Sequence, residues 1–135
     1  MTLIVCIDDK NGMLFNHRRQ SRDRVLIEDL LTLTAGATLW IEPYSVLLFP
    51  KDCTAYKVAD DPLAAAGAKD FCFIETKNPV PCAAKIDAVV LYRWNRHYPA
   101  DLCFTLDMTK FALTEASEFK GSSHERITRE IYRCK

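Results

Sequence analysis

The sequence predicts an α/β domain with a mainly parallel central sheet flanked by helices and a C-terminal antiparallel hairpin. Short apolar runs alternate with segments of helical spacing through most of the 135 residues, which is the pattern of a parallel sheet. The last two runs, Phe111–Phe119 and His124–Cys134, are long and are joined by Lys120-Gly121-Ser122-Ser123, a typical hairpin connection. We expect a single domain over residues 1–135, because a chain of this length can bury one sizeable core.

The first strand is predicted at Leu3–Ile7, a continuous apolar run that ends in a turn at residues 8–12. Because the run contains no polar position, we expect a central strand that is buried on both faces. A loop is predicted at Met13–Ser21, and it combines apolar residues with many side-chain donors. This loop is therefore the first candidate for a ligand-binding element.

A helix is predicted from Arg22 to about Thr34, because apolar residues recur there with helical spacing, namely Val25, Leu26, Leu30, Leu31 and Leu33. Ser21 is its expected N-cap, and Gly36 is its expected C-cap glycine. Asp23 then falls in the first turn, where the helix dipole stabilises a carboxylate. A structural role and a binding role are both open for this residue.

The remaining elements follow in chain order. Strands are predicted at Ala37–Ile41, Thr54–Val58, Phe71–Ile74 and Ile86–Trp94, and helices or helical turns at Pro43–Phe49, Asp60–Ala66 and Pro79–Lys85. Together with the closing hairpin, these elements give a sheet that is parallel except at one edge.

Composition argues against several classes of protein. Eighteen Lys and Arg balance eighteen Asp and Glu, so the surface as a whole does not attract polyanions. The six cysteines form no C-x-x-C pair and the three histidines are far apart, so we expect no metal site. We predict no signal peptide and no membrane-spanning run, and therefore reduced thiols and a cytoplasmic location.

The order of elements resembles the dihydrofolate reductase family. Asn11-Gly12-Met13, then a loop and a lone aspartate at a helix start, is similar to the opening of that family, and Pro62–Gly67 is similar to its later alanine-rich helix. The runs Lys85–Asn95, Asp107–Phe119 and Ile127–Arg133 are similar to its last three strands. The resemblance covers nearly the whole chain and implies a dihydrofolate reductase-like fold.

The resemblance also implies a substrate pocket. It puts Asp23 at the position of the substrate-binding carboxylate and Tyr92 close to the position of its hydroxyl partner. In the family, such an acid, with its pKa raised by burial or paired with a hydroxyl, holds a pterin and assists its protonation. The expected ligand-binding residues lie on the first strand, the loop and the helix, and they are Val5, Ile7, Met13, Phe15, Arg19 and Leu26.

The cofactor side departs from the family. Where the family has a glycine-arginine pair that opens a helix and holds a phosphate, this chain has Glu42-Pro43. Where the family has paired glycines that let the backbone approach the pyrophosphate, this chain has Glu75-Thr76. The chain is also short between Phe49 and Asp60, where the family has another strand. We therefore expect no cofactor, and no NADPH in the usual mode.

Three functions are open at this point. The first is binding of a small planar heterocyclic or nucleotide-like ligand near Asp23, and the second is an NAD(P)H-dependent reductase with an altered cofactor mode. The third is an anion or nucleic-acid-binding module, since two arginine clusters lie beside aromatic or histidine residues, namely Arg18, Arg19 and Arg22, and Arg93 and Arg96. A salt-bridged surface explains the same arginines.

A hydrolase is not favoured. Ser122-Ser123-His124-Glu125 contains a hydroxyl and an imidazole, but adjacent residues of an extended hairpin point to opposite faces. We therefore expect no pair between Ser123 and His124. Three cysteines within apolar runs, Cys6, Cys72 and Cys103, are expected to pack as small core residues.

Overall fold

The computed structural model describes residues 1–135 and contains ten strands. They are β1 (Thr2–Ile7), β2 (Gly12–Phe15), β3 (Arg18–Arg19), β4 (Leu39–Ile41), β5 (Lys57–Val58), β6 (Phe71–Phe73), β7 (Ala88–Arg93), β8 (Leu102–Cys103), β9 (Phe111–Phe119) and β10 (Ile127–Cys134). Seven of them form the main sheet in the order β5-β4-β6-β1-β7-β10-β9. The first five are parallel, and β10 runs antiparallel to both β7 and β9. The predicted α/β class is confirmed.

Strand β1 lies between β6 and β7 and is covered on both faces, as its apolar run predicts. Leu3, Val5 and Ile7 belong to one hydrophobic core, whereas Ile4 belongs to the core on the opposite face. This division follows from the period of two in strand side chains. Cys6 is on the same face as Ile4, beside the second core.

Helix α1 (Arg24–Leu33) packs on that second core through Leu26, Ile27 and Leu30. Its N-cap is Asp23 rather than the predicted Ser21, because Asp23 Oδ1 accepts hydrogen bonds from the first free amides of the helix. This correction leaves the Ser21 hydroxyl available for another partner.

The other helical segments are short. They are α2 (Pro62–Ala65) and three 3₁₀ helices, Pro43–Leu48, Val80–Lys85 and Met108–Lys110. Proline occupies an early position in α2 and in the first two 3₁₀ helices, where its missing N–H costs nothing. No helix is both long enough and apolar enough to cross a bilayer.

The predicted loop Met13–Ser21 is partly a hairpin. Strands β2 and β3 pair across a tight turn in which Asn16 and His17 have φ values of 51° and 61°, the left-handed pair that a two-residue hairpin turn requires. With β8 they form a three-stranded sheet in the order β3-β2-β8. The C-terminal hairpin also differs from the prediction, since β10 begins at Ile127 and residues 120–126 form an irregular turn.

Candidate functional site

A buried carboxylate joins the start of α1 to the turn between β9 and β10. Asp23 is 3% exposed. Its Oδ1 accepts from the amides of Val25, Leu26 and Ser122 at 3.0, 3.2 and 2.9 Å, and its Oδ2 accepts from the amide of Ser123 at 2.8 Å. Four backbone donors therefore converge on one side chain.

His124 completes this cluster. Its Nδ1 lies 3.0 Å from Asp23 Oδ2, and its side chain is 1% exposed. Burial by itself would raise the pKa of Asp23, but the hydrogen bonds from Ser122, Ser123, His124 and Leu26 outweigh burial and hold that pKa well below its ordinary value. Asp23 is thus an ionised N-cap whose pKa is lowered rather than raised by its surroundings. The other expected feature, a hydroxyl partner, is supplied by Ser123, whose Oγ donates to Asp23 Oδ2 at 3.2 Å.

The second ring nitrogen of His124 meets two hydroxyls. Nε2 lies 3.0 Å from Ser21 Oγ and 3.0 Å from the Tyr98 hydroxyl. An ionised carboxylate only accepts hydrogen bonds, so Nδ1 carries the proton that it donates to Asp23, and Nε2 is the nitrogen that faces the two hydroxyls. The ring of Trp94 stacks on the imidazole, with centroids 4.6 Å apart and planes inclined by 26°.

The turn that carries His124 depends on a glycine. A methyl group at Gly121 would overlap Asp23 Oδ2, so only glycine lets the backbone approach the carboxylate this closely. Because the turn is irregular, Ser123 Oγ lies 3.3 Å from His124 Nδ1. The expectation that these neighbours cannot meet is therefore wrong.

Tyr92 has a different partner from the one expected. Its hydroxyl donates to Asp29 Oδ2 at 2.7 Å, and Arg129 Nη1 binds the same oxygen at 2.9 Å. Burial and the bond to Asp29 raise the pKa of Tyr92 well above its ordinary value. Asp29 lies six residues beyond Asp23, about 9 Å along the axis of α1. Tyr92 therefore supports the helix further along and does not serve Asp23.

Beside the Asp23 cluster lies an inner cavity of about 20 Å³, room for about one water molecule. Met13, Arg19 and Leu26, three of the residues predicted to bind a ligand, line it, and so does Ser21. Three other expected residues do not line it, namely Val5, Ile7 and Phe15. Val5 and Ile7 point to the opposite face of β1, so Cys6 lines the cavity in their place. Phe15 is 47% exposed.

The inner cavity adjoins a wider outer cleft between α1 and the 3₁₀ helix Pro43–Leu48. The outer cleft measures about 360 Å³, which is within the usual range for small-molecule sites. It is lined by Arg22, Asp23, Arg24, Ile27, Glu28, Leu47, Leu48, Phe49 and Pro50. Arg22, Asp23, Ile27 and Leu48 line both spaces.

The side chain of Glu42 points into the protein, at the position where the resemblance to dihydrofolate reductases implies a phosphate of the cofactor. It is 2% exposed, and its Oε2 accepts from the amides of Glu75 and Thr76 at 2.6 and 3.0 Å. The Thr76 hydroxyl donates to its other oxygen. These amides follow β6, where the resemblance implies a backbone approach to the pyrophosphate. An internal carboxylate therefore occupies them.

Glu75 closes the same region through an ion pair. Arg19 Nε and Nη2 donate to its two oxygens at 2.8 and 3.1 Å, and Ser45 Oγ donates to Oε1 at 2.7 Å. The guanidinium lies 4.4 Å from the centre of the Tyr44 ring. The bidentate pair ties β3 to the end of β6.

The arginine clusters are divided between internal and exposed positions. Arg19 pairs with Glu75, and Arg93 Nε lies 2.6 Å from Glu130 Oε1. The other three, Arg18, Arg22 and Arg96, are exposed. The side chains therefore form no continuous basic surface from all five members.

The architecture and the position of the site define an α/β protein of the dihydrofolate reductase-like fold. No family model matches the sequence, and no curated protein matches it. The structure of this chain is similar to the solved structure of a dihydrofolate reductase from Enterococcus faecalis complexed with NADP(H) and RAB-propyl, with a TM-score of 0.69 and 11% sequence identity. The match covers 98% of this chain and 95% of that one. The predicted fold is confirmed.

Proposed function

We propose that this protein binds a small planar heterocyclic or nucleotide-like ligand in the outer cleft beside Asp23, and that it does so without NADPH in the usual mode. The observation that carries this proposal is the contact of the buried Glu42 carboxylate with the amides of Glu75 and Thr76. The substrate side of the fold keeps an open cleft, whereas the cofactor side is filled by its own side chains.

The residues at the cofactor position do not fit a dinucleotide phosphate. A phosphate that bound these amides would have to displace Glu42 and leave a buried carboxylate unpaired beside it. Loss of one partner from a buried charged contact costs about 3–5 kcal/mol. That cost corresponds to a loss of roughly a hundredfold to a few thousandfold in affinity.

The outer cleft has the chemistry of a site for an acidic heterocycle. Ile27, Leu47 and Leu48 offer apolar surface for a planar ring, and Arg22 and Arg24 offer cations for an acidic substituent. The oxygens of Asp23 are already engaged by the protein. The ligand is therefore held by shape and by the arginines rather than by this carboxylate.

Calorimetry and thermal shift with a panel of pterins, purines and nucleotides test the proposal. Leu47 is 81% exposed, so Leu47→Glu leaves the fold intact but puts a negative charge on the cleft wall. We expect at least one compound to bind and Leu47→Glu to weaken it about tenfold or more. Leu113→Glu, at an exposed position of β9 outside the cleft, is the matched control. Failure of every compound, or equal binding by Leu47→Glu and wild type, would overturn the proposal.

We further propose that the protein works in the reducing cytoplasm. All six cysteines are free thiols, and free thiols persist in reducing compartments. Burial raises the pKa of Cys72 to about 12, so this thiol stays protonated and resists oxidation.

A further inference from the structure

We propose that Ser21 is an activated nucleophile in a site for an acyl ester, with His124 as its general base and Asp23 as the residue that orients the base. This proposal goes beyond ligand binding, because it assigns a covalent chemistry that needs no cofactor. It also uses residues that the dihydrofolate reductase resemblance does not connect.

The geometry is that of a hydroxyl, an imidazole and a carboxylate in series. Ser21 Oγ lies 3.0 Å from His124 Nε2, and His124 Nδ1 lies 3.0 Å from Asp23 Oδ2. Both distances are within hydrogen-bond reach, and each ring nitrogen faces the group that nucleophilic catalysis requires. Ser21 and His124 are 103 residues apart in the chain, so the fold rather than local sequence brings them together.

His124 Nε2 does not need Ser21 as a hydrogen-bond partner. Nε2 of a neutral imidazole has one lone pair, and the Tyr98 hydroxyl, also at 3.0 Å, can satisfy it. Ser21 is a second hydroxyl on the same lone pair; it is partly exposed and lines the inner cavity. That cavity has room for little more than the carbonyl group of an ester, so the rest of the ester would lie in the outer cleft, which shares Arg22, Asp23, Ile27 and Leu48 with the cavity. The stacked Trp94 ring fixes the plane of the imidazole, so Nε2 stays directed at these two hydroxyls.

Neighbouring nucleophiles are less suitable. Burial, with a smaller effect from Glu75, holds the pKa of the Cys6 thiol well above its ordinary value, so Cys6 lines the cavity as a neutral thiol. Ser123 Oγ lies against Nδ1, the nitrogen that carries the proton and cannot accept another. Ser21 is therefore the serine placed to lose a proton to the ring.

The reaction is an acyl transfer from ester to water. Ser21 Oγ attacks the carbonyl carbon while its proton passes to His124 Nε2, and the C–O bond to the leaving alcohol then breaks as His124 returns the proton to that oxygen. Water repeats the two steps on the acyl-serine and releases a carboxylic acid and free Ser21. Arg22, which lines both spaces, supplies a cation for the negative charge that develops on the carbonyl oxygen.

Labelling with diisopropyl fluorophosphate, followed by intact mass and peptide mapping, tests the assignment. The Ser21 Oγ–P bond forms, the P–F bond breaks, fluoride leaves and the Oγ proton goes to His124. We expect wild type to be labelled at Ser21, Ser21→Ala to remain unlabelled, and His124→Gln to react about a hundredfold more slowly. Ser117→Ala, which removes a serine of β9, is the matched control.

A second variant keeps the test decisive if His124→Gln does not fold. Tyr98→Phe removes the competing hydroxyl and leaves the imidazole in place, so Ser21 should react severalfold faster than in wild type. Absence of labelling at Ser21 in wild type, an unchanged rate in folded His124→Gln, or an unchanged or slower rate in Tyr98→Phe would overturn the proposal. The probe reacts whatever ligand the cleft binds, so a negative result leaves the proposed binding function standing.

Discussion

In two regions of the molecule, around Asp23 and around Glu42, a buried carboxylate accepts hydrogen bonds from backbone amides. An open cleft remains beside Asp23, whereas the region around Glu42 is filled by side chains. On the substrate side, the buried Asp23 accepts the amides of Ser122 and Ser123. On the cofactor side, the buried Glu42 accepts the amides of Glu75 and Thr76. Each side chain accepts hydrogen bonds from the backbone of a distant segment and so holds that segment in place.

The difference lies in what remains open. Asp23 also accepts a hydrogen bond from His124. The other ring nitrogen of His124 faces the hydroxyls of Ser21 and Tyr98, and Ser21 lines the inner cavity. Near Glu42, the carboxylate of Glu75 is also fully engaged within the protein, because it accepts hydrogen bonds from Arg19 and Ser45. One region of the fold is therefore filled by its own charged side chains, whereas the other keeps an open cleft. Function has to be argued from the site and not from the fold.

The largest expected effect is that of Asp23→Ala on the free energy of unfolding. The substitution leaves His124 and four backbone amides without their acceptor, so we expect a loss of about 3–5 kcal/mol, measured by urea denaturation. Arg24→Ala breaks only an exposed ion pair with Glu28 and should change stability by no more than about 0.5 kcal/mol. A loss of less than about 1 kcal/mol in Asp23→Ala would show that the cluster does not depend on the carboxylate.

Glu42→Ala should have a smaller effect on the same measurement. Three donors lose their acceptor, two amides and one hydroxyl, and we expect a loss of about 2–3 kcal/mol. Glu28→Ala, at an exposed position of α1, is the control. Equal stability of Glu42→Ala and wild type would contradict the account of the cofactor side.

The smallest of the three expected effects on stability is that of acid. Stability should change little near neutral pH and should fall measurably only below about pH 5. The folded pKa of Asp23 lies below the unfolded value of about 3.9. Its contribution is therefore complete above the unfolded pKa and is lost as pH falls towards the folded pKa. Wild type should lose more stability than Asp23→Asn between about pH 5 and about pH 3. Parallel curves for the two proteins would mean that the pKa of Asp23 is not lowered by folding.

The main sheet could be predicted because its strands are apolar runs separated by helical patterns and turn residues. The small sheet of β2, β3 and β8 could not, since strands of two to four residues show no periodicity to detect. The face of β1 that lines the cavity was also unpredictable. A strand buried on both faces has no polar alternation, so the sequence does not distinguish Val5 and Ile7 from Cys6.

Of the hydrogen-bonded cluster around His124, the sequence pointed to Asp23 alone, although Met13, Arg19 and Leu26 in the cavity wall were also named. Asp23 was identified from its place at the start of a helix, but its partners Ser122, Ser123 and His124 lie about a hundred residues away. No local pattern records a contact of that separation. The expectation that Ser123 and His124 point to opposite faces assumed an extended strand. Both residues lie instead in the irregular turn before β10, where side chains do not alternate.

Titration with NADPH, followed by nicotinamide fluorescence, tests the closed cofactor side most directly. A dihydrofolate reductase serves as positive control in the same buffer. We predict binding no tighter than about 0.1 mM, at least a hundredfold weaker than a Kd of about 1 μM, because Glu42 and Glu75 occupy the donors that a phosphate would need. Saturable binding with a Kd of about 1 μM would contradict the account.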